Sequence, residues 1–257
     1  MGFYQADFNH LVKFNSATSS DFLIKYSDFV DAKIKSHQES KRSTNISPSS
    51  SYCLRQQWFK LRGTEPDILA NPDQTLNFTA EIGTACHEII QTNLEELYGE
   101  DWIDVGEYIK NANLPYEVQC EKHNHETRLY IPELRIRCAC DGLLRINGVY
   151  YLLEIKTSEY SSFDKLTDPK PQHISQINMY AAILKIPHVL VLYVDRQYGT
   201  QKCFELTVSS TNMNKVMNDI HYVLECAENN LAPQRLTIGD FHCNSNYCPY
   251  YMKCKEW

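Results

Sequence analysis

Apolar positions along the 257-residue chain recur with two periods, and the change of period marks out the elements. In residues 19–37, Phe22, Tyr26, Phe29, Val30 and Ile34 fall at helical spacing, which predicts an amphipathic helix capped by Ser19 or Ser20. Residues 40–51, rich in Ser, Thr, Asn and Pro, read as a linker. A second helix over 49–61 carries Cys53, Arg55, Trp58, Phe59 and Lys60, and 63–77 reads as loop. A third helix over 78–98 contains Gly83 and His87, and the acidic stretch after it reads as a solvated face.

Between 116 and 160 the period drops to two. Leu134, Ile136, Cys138 and Cys140 alternate with Arg135, Arg137, Ala139 and Asp141, a strand with two unlike faces. Asn147-Gly148 is a hairpin signal leading into a strand over 149–157. Pro171 opens a helix to 184, 188–196 and 202–208 form a strand hairpin, 210–230 a long helix, and 240–257 an irregular tail. The order, helices, a central sheet, a helix, strands and a helix, predicts a mixed α/β fold. It divides into a helical segment and linker over 1–45 and one domain over 46–257.

With 43% hydrophobic and 22% charged residues, the chain can bury a core. Its longest apolar runs, such as 189–194, are too short to span a bilayer, and residues 1–10 carry no secretory signal, so a cytoplasmic protein is expected (host cytoplasm if viral). No Gly-x-x-x-x-Gly-Lys loop is present, which excludes a phosphate-loop motor. The formal net charge of −7 disfavours coating of duplex DNA, so any nucleic acid must meet a local basic groove or bound cations. Ten cysteines without a secretory signal point to metal rather than disulfides.

Residues two apart in a strand share a face, so Glu154 and Lys156 point the same way, and the hairpin brings Asp141 beside them. Two carboxylates and a lysine in one volume suit phosphodiester hydrolysis. Hard oxygens hold magnesium or manganese, and the lysine orients a water and offsets transition-state charge. Taken alone, Glu-x-Lys is also what a surface ion pair looks like. His87 follows Gly83 by four residues on one helical face, as a ligand or as a hydrogen-bonded core histidine. His173, Gln176 and Tyr180 make a polar helical stripe, either in the site or facing solvent.

Gly83-x-x-x-His87, Asp141, Glu154-x-Lys156 and Gln176-x-x-x-Tyr180, in this order, resemble the RecB-like branch of the PD-(D/E)XK nucleases over roughly residues 80–185. The resemblance implies a restriction-endonuclease-like core, a central mixed sheet flanked by helices. It implies a magnesium or manganese site made by His87, Asp141, Glu154 and the main-chain carbonyl of Ile155, with Lys156 catalytic. Gln176 and Tyr180 would position DNA or the lysine. The substrate implied is DNA, with single-stranded ends favoured, and the activity an exonuclease or a closely related endonuclease. Recombination, repair, CRISPR adaptation or phage DNA processing would be its setting, with any helicase partner a separate chain. A non-catalytic DNA-binding subunit on the same fold is the alternative.

In the tail, Cys243, Cys248 and Cys254 have four and five residues between them, unlike the close pairs of structural zinc sites, and Cys53 is the candidate fourth ligand. One cysteine before the core and three after it resemble the iron–sulfur members of the same branch, the AddB-type nuclease domains and the CRISPR-associated Cas-four exonucleases. That resemblance implies a 4Fe-4S cluster joining the chain ends. The remaining cysteines, 86, 120, 138, 140, 203 and 226, read as packed small hydrophobes. Arg55 beside Trp58, and Arg135 and Arg137 on the Asp141 face, are the candidate DNA contacts; Trp58 reads equally as core.

Overall fold

The computed structural model describes residues 16–40, 43–67, 74–236, 243 and 248–256. Among these, 16–40 with 74–79 form one compact unit and the remainder a second. In the first, helix α1 (Ser16–Ser40) is longer than its sequence pattern predicts. The Gln74 amide donates to Ser27 Oγ at 2.5 Å and Asp31 Oδ1 at 2.8 Å. Of the stripe expected to pack, Phe22 (65%), Tyr26 and Phe29 (67%) are exposed, Val30 is half-buried and Ile34 is buried.

The second unit opens with a 3₁₀ turn (Pro48–Ser50) and helix α2 (Leu54–Leu61). Helix α3 (Gln74–Tyr98) begins four residues earlier than expected and enters this unit from residue 80. The acidic stretch holds helix α4 (Val105–Asn111), whose Asp104 cap accepts the Glu107 N–H at 2.8 Å. A capping carboxylate satisfies amides the helix leaves open, which is what an acid-rich start can do beyond being solvated.

Strands β1 (Gln119–His123), β2 (Glu126–Ile131) and β3 (Ile136–Cys140) form an antiparallel sheet. Strands β4 (Gly142–Ile146), β5 (Val149–Ser158), β6 (His188–Asp195) and β7 (Gln201–Thr207) form a second, mixed one. β5 pairs antiparallel with β4 and parallel with β6. The parallel pair needs a crossover, supplied by helices α5 (Tyr160–Asp164) and α6 (Pro171–Leu184). α6 packs on helix α7 (Ser210–Glu228), and α7 on α2. The architecture is mixed α/β with a mixed sheet flanked by helices, but the one central sheet expected is two ladders parting at Asp141. Gly142 begins the second ladder, and a Cβ there would lie 2.6 Å from the Trp102 ring.

The core gathers Trp58, Leu129, Ile136, Ile177, Val191 and Val223. The tail, expected to be irregular, forms helix α8 (Tyr251–Glu256). Tyr250 stacks on Phe59 at 5.0 Å, and Asp67 accepts the Lys253 N–H at 3.1 Å. Cys120 and Cys203, read as packed, are exposed; Cys140 and Cys226 are buried. No helix among the described residues is long and apolar enough to cross a membrane.

Candidate active site

Asn147 and Gly148 both take positive φ, 51° and 80°, and the tight turn sets the β4–β5 register from Ile146↔Val149 to Gly142↔Leu153. β5 outruns β4. From Glu154 onward its free edge meets no strand among the described residues, and Asp141 takes the strand's place. The Asp141 Oδ2 atom accepts the Ile155 N–H at 2.7 Å. The N–H and C=O of one strand residue leave by the same edge, so the Ile155 carbonyl also faces the Asp141 side. Asp141 is 7% exposed and Glu154 4%.

Three elements converge on this edge. From β5, Lys156 Nζ lies 2.5 Å from Glu154 Oε1. From α6, the Gln176 amide bridges the pair: Nε2 donates to Glu154 Oε1 at 2.8 Å, and Oε1 accepts from Lys156 Nζ at 3.1 Å. From α3, Gln91 Nε2 donates to the Asp141 carbonyl at 2.7 Å, and His87 Nδ1 stands 3.5 Å from Asp141 Oδ1. Gly83 lets α3 approach, since a Cβ there would lie 3.2 Å from Thr157 Oγ1.

Burial, with the Asp141 charge adding to it, pushes the Glu154 carboxyl up to about 7 against the pull of Lys156. For His87, burial disfavours the cation, but the hydrogen bond and charge of Asp141 outweigh it and the pKa is raised. Both shifts arise from confining negative charge in little water.

One ligand atom each from His87, Asp141 and Glu126 lies within 4.8 Å of the others, a mixed nitrogen and oxygen set suited to a divalent cation. Glu126 was not a sequence candidate. Glu154, expected as a metal ligand, has its Oε1 atom held by Lys156 and Gln176. Tyr180 does not reach the lysine: its buried hydroxyl donates to the Ala139 carbonyl, and burial raises its pKa far above the usual phenol.

The candidate DNA contacts divide. Trp58 is fully buried and its indole N–H donates to the Cys226 carbonyl at 3.1 Å, so no base can stack on it. Arg55 is 7% exposed and donates to the Pro233 carbonyl at 2.7 Å. Arg135 sits in the turn before β3 and donates to the Thr44 and Leu61 carbonyls at 3.1 and 3.0 Å. These three are committed to packing. Arg137 is exposed, 5.0 Å from the Tyr130 ring on the outer face that also carries Arg128.

Cys53, Cys243, Cys248 and Cys254 line a single small cavity with Arg55, Gln56 and Arg235. Arg235 and Arg55 reach the sulfurs of Cys243 and Cys254, each at 3.9 Å. Burial pushes the Cys53 thiol up to about 11, with Cys248 and Cys254 adding to it.

No protein-family model matches this chain, and no curated protein matches it by sequence. Among solved structures it is similar to a protein described as SSO0001, at 13% identity over 89% of this chain and 96% of that one, TM-score 0.46. It is also similar to LHK-Exo, an alkaline exonuclease from Laribacter hongkongensis, at 15% identity over 84% of this chain and 95% of that one, TM-score 0.43. LHK-Exo in complex with dAMP matches at 16% identity over 74% and 90%, TM-score 0.43. At this distance the likeness says nothing of individual residues.

His173, on the polar stripe of α6, bonds Tyr193 rather than a ligand, Nδ1 to Oη at 2.6 Å. Burial, helped by Lys156 and Lys170, holds its imidazole down at about 3. The unfolded chain takes up this proton below about pH 6.5 and the folded chain does not, so the group costs stability as pH falls. Between pH 7 and 5 the wild type should therefore lose about 1–2 kcal/mol more than His173→Gln. Urea melts at the two pH values measure it, and equal losses would show a solvated imidazole.

Proposed function

We propose that the protein is a divalent-cation-dependent DNA nuclease, acting at single-stranded ends. The observation that carries the proposal is the buried edge of β5, where Lys156, Glu154 and Gln176 form one hydrogen-bonded set beside Asp141 and His87. A surface ion pair would be solvated; Glu154 is 4% exposed, and a buried charged set is retained at a cost that chemistry can explain. His87, Asp141, Glu126 and the Ile155 carbonyl are the groups that would hold magnesium or manganese, with Glu154 alongside. When bound, the cation supplies Lewis acidity toward a phosphoryl oxygen and acidifies water.

The chain's own residues supply the rest. Lys156 Nζ, fixed by Glu154 and Gln176, donates to the attacking water and to phosphate oxygens as charge builds up on them. Gln176 holds both members of the pair, so neither swings into solvent. Asp141, braced by Gln91 and the Ile155 amide, keeps its remaining carboxylate oxygen turned to His87. Arg128 and Arg137 offer phosphates a small positive patch in an otherwise acidic molecule.

The reading extends to a 4Fe-4S cluster on Cys53, Cys243, Cys248 and Cys254. Arg55 supports it. A buried guanidinium needs negative charge nearby, and among the described residues no carboxylate pairs with it. Ligated thiolates would supply that charge. Arg235 lines the same cavity, and among the described residues its buried Nε–H donor has no hydrogen-bond partner, which ligated thiolates could supply.

The test is digestion. Purified without air and given Mn²⁺ and single-stranded DNA labelled at one end or the other, the protein should shorten the strand, and the two labels report polarity. No degradation by protein that has taken up Mn²⁺ would overturn the nuclease reading and leave a DNA-binding subunit.

A further inference from the structure

The geometry points to Glu126 as a cation ligand of the active site, delivered from the other sheet and held there by a clamp between His125 and Glu95. This rests on the reading of His87 and Asp141 as cation ligands and adds a residue which that reading did not contain.

Register places it. β2 and β3 pair from Ile131↔Ile136 to Thr127↔Cys140. One step further along the ladder, Glu126 stands opposite Asp141, where the chain leaves β3 for β4. The three-stranded sheet thus adds a carboxylate to a site otherwise built on the four-stranded sheet and α3. Its oxygen lies with Asp141 and His87 inside 4.8 Å. Among the described residues, its carboxylate has no hydrogen bond or ion pair. Arg128 and His123 are the nearby positive groups. Two carboxylates at this separation repel each other unless a cation lies between them.

The clamp explains how the β1–β2 turn holds this position. Asn124 takes positive φ at the turn. The next residue, His125, bonds Glu95 Oε2 through Nδ1 at 2.7 Å and Thr92 Oγ1 through Nε2 at 3.1 Å. His87, Gln91 and Glu95 are spaced by four, so one face of α3 carries a ligand, a brace on Asp141 and the anchor of the hairpin. Glu126 directly follows His125, and its distance from Asp141 is therefore set by α3.

Direct Mn²⁺ binding tests this without turnover. In the full-length protein, Glu126→Gln should weaken Mn²⁺ affinity about 10–100-fold by calorimetry or by the free-ion electron paramagnetic resonance signal. The metal-free melting temperature should stay equal or rise, because a repulsion is gone; a purely structural glutamate would lower it. Glu95→Ala should weaken Mn²⁺ binding about tenfold. Glu95→Gln, which keeps an acceptor for His125, should restore most of it. Wild-type affinity in Glu126→Gln would overturn the proposal while leaving His87 and Asp141 as ligands. Wild-type affinity in Glu95→Ala would remove the clamp. Failure of the wild type to bind Mn²⁺ would overturn the proposal together with the site reading beneath it.

Discussion

Lys156→Ala should lower DNA degradation about 10²–10⁴-fold, with Mn²⁺ binding retained. The loss is large because the ammonium is positioned rather than merely present: Glu154 at 2.5 Å and Gln176 at 3.1 Å fix it at the β5 edge. Water admitted to the gap cannot reproduce an oriented donor in a partly desolvated pocket. The substitution also removes the cation that opposes burial of Glu154, whose carboxyl already sits at about 7. Its pKa then rises further. A group with a raised folded pKa stabilises most fully below its unfolded value and loses that contribution as pH rises through the folded one. The variant should therefore melt close to wild type at pH 5–6 and clearly lower at pH 8. Single-turnover digestion and thermal melts at both pH values give the two readouts. Wild-type turnover in a folded Lys156→Ala protein would remove the lysine from the mechanism.

Cys248→Ala should lose the brown absorbance, iron and labile sulfide, and stability with them. Cys53 precedes α2 and the other three lie in the tail, so a cluster on them would close a loop of nearly the whole domain. A cross-link over so long a loop is worth about 4 kcal/mol or more, or roughly 8–16 °C in melting temperature for a chain of this size. The loss should appear in protein made and melted without air. Retention of both iron and melting temperature would dismiss the cluster; iron absent from the wild type, with zinc in its place, would replace it. Because the cavity lies apart from the β5 edge, residual folded Cys248→Ala protein should still bind Mn²⁺.

Local chemistry made part of this site legible. Asn147-Gly148 accepts the positive φ of a two-residue turn, and that turn sets the register that brings Glu154 and Lys156 past the end of β4. Period two put those side chains on one face, and spacing by three and four put Gln176 on the face of α6 that meets them. These features depend on neighbours a few residues apart, which is the range over which backbone geometry speaks.

Other features depend on pairings across the chain. Arg55, Trp58 and Arg135 have the composition of a nucleic-acid surface, yet Trp58 fills the core and both arginines hold main-chain carbonyls. Amphipathic side chains serve either use, and only burial distinguishes them. Tyr180 shares the stripe of Gln176 but spends its hydroxyl on the Ala139 carbonyl, a partner set by where β3 passes α6. Glu126 carried no motif at all; its place comes from the β2–β3 register and from a hairpin anchored on α3 thirty residues earlier. Turn chemistry and periodicity act locally, and they suffice for the hairpin, the Glu154–Lys156 face and the polar stripe of α6. Only the packed chain shows that Arg55 and Trp58 are buried, that Arg135 is spent on main-chain carbonyls, and that a carboxylate from a second sheet stands beside Asp141. Those outcomes are set by which distant surfaces exclude water together.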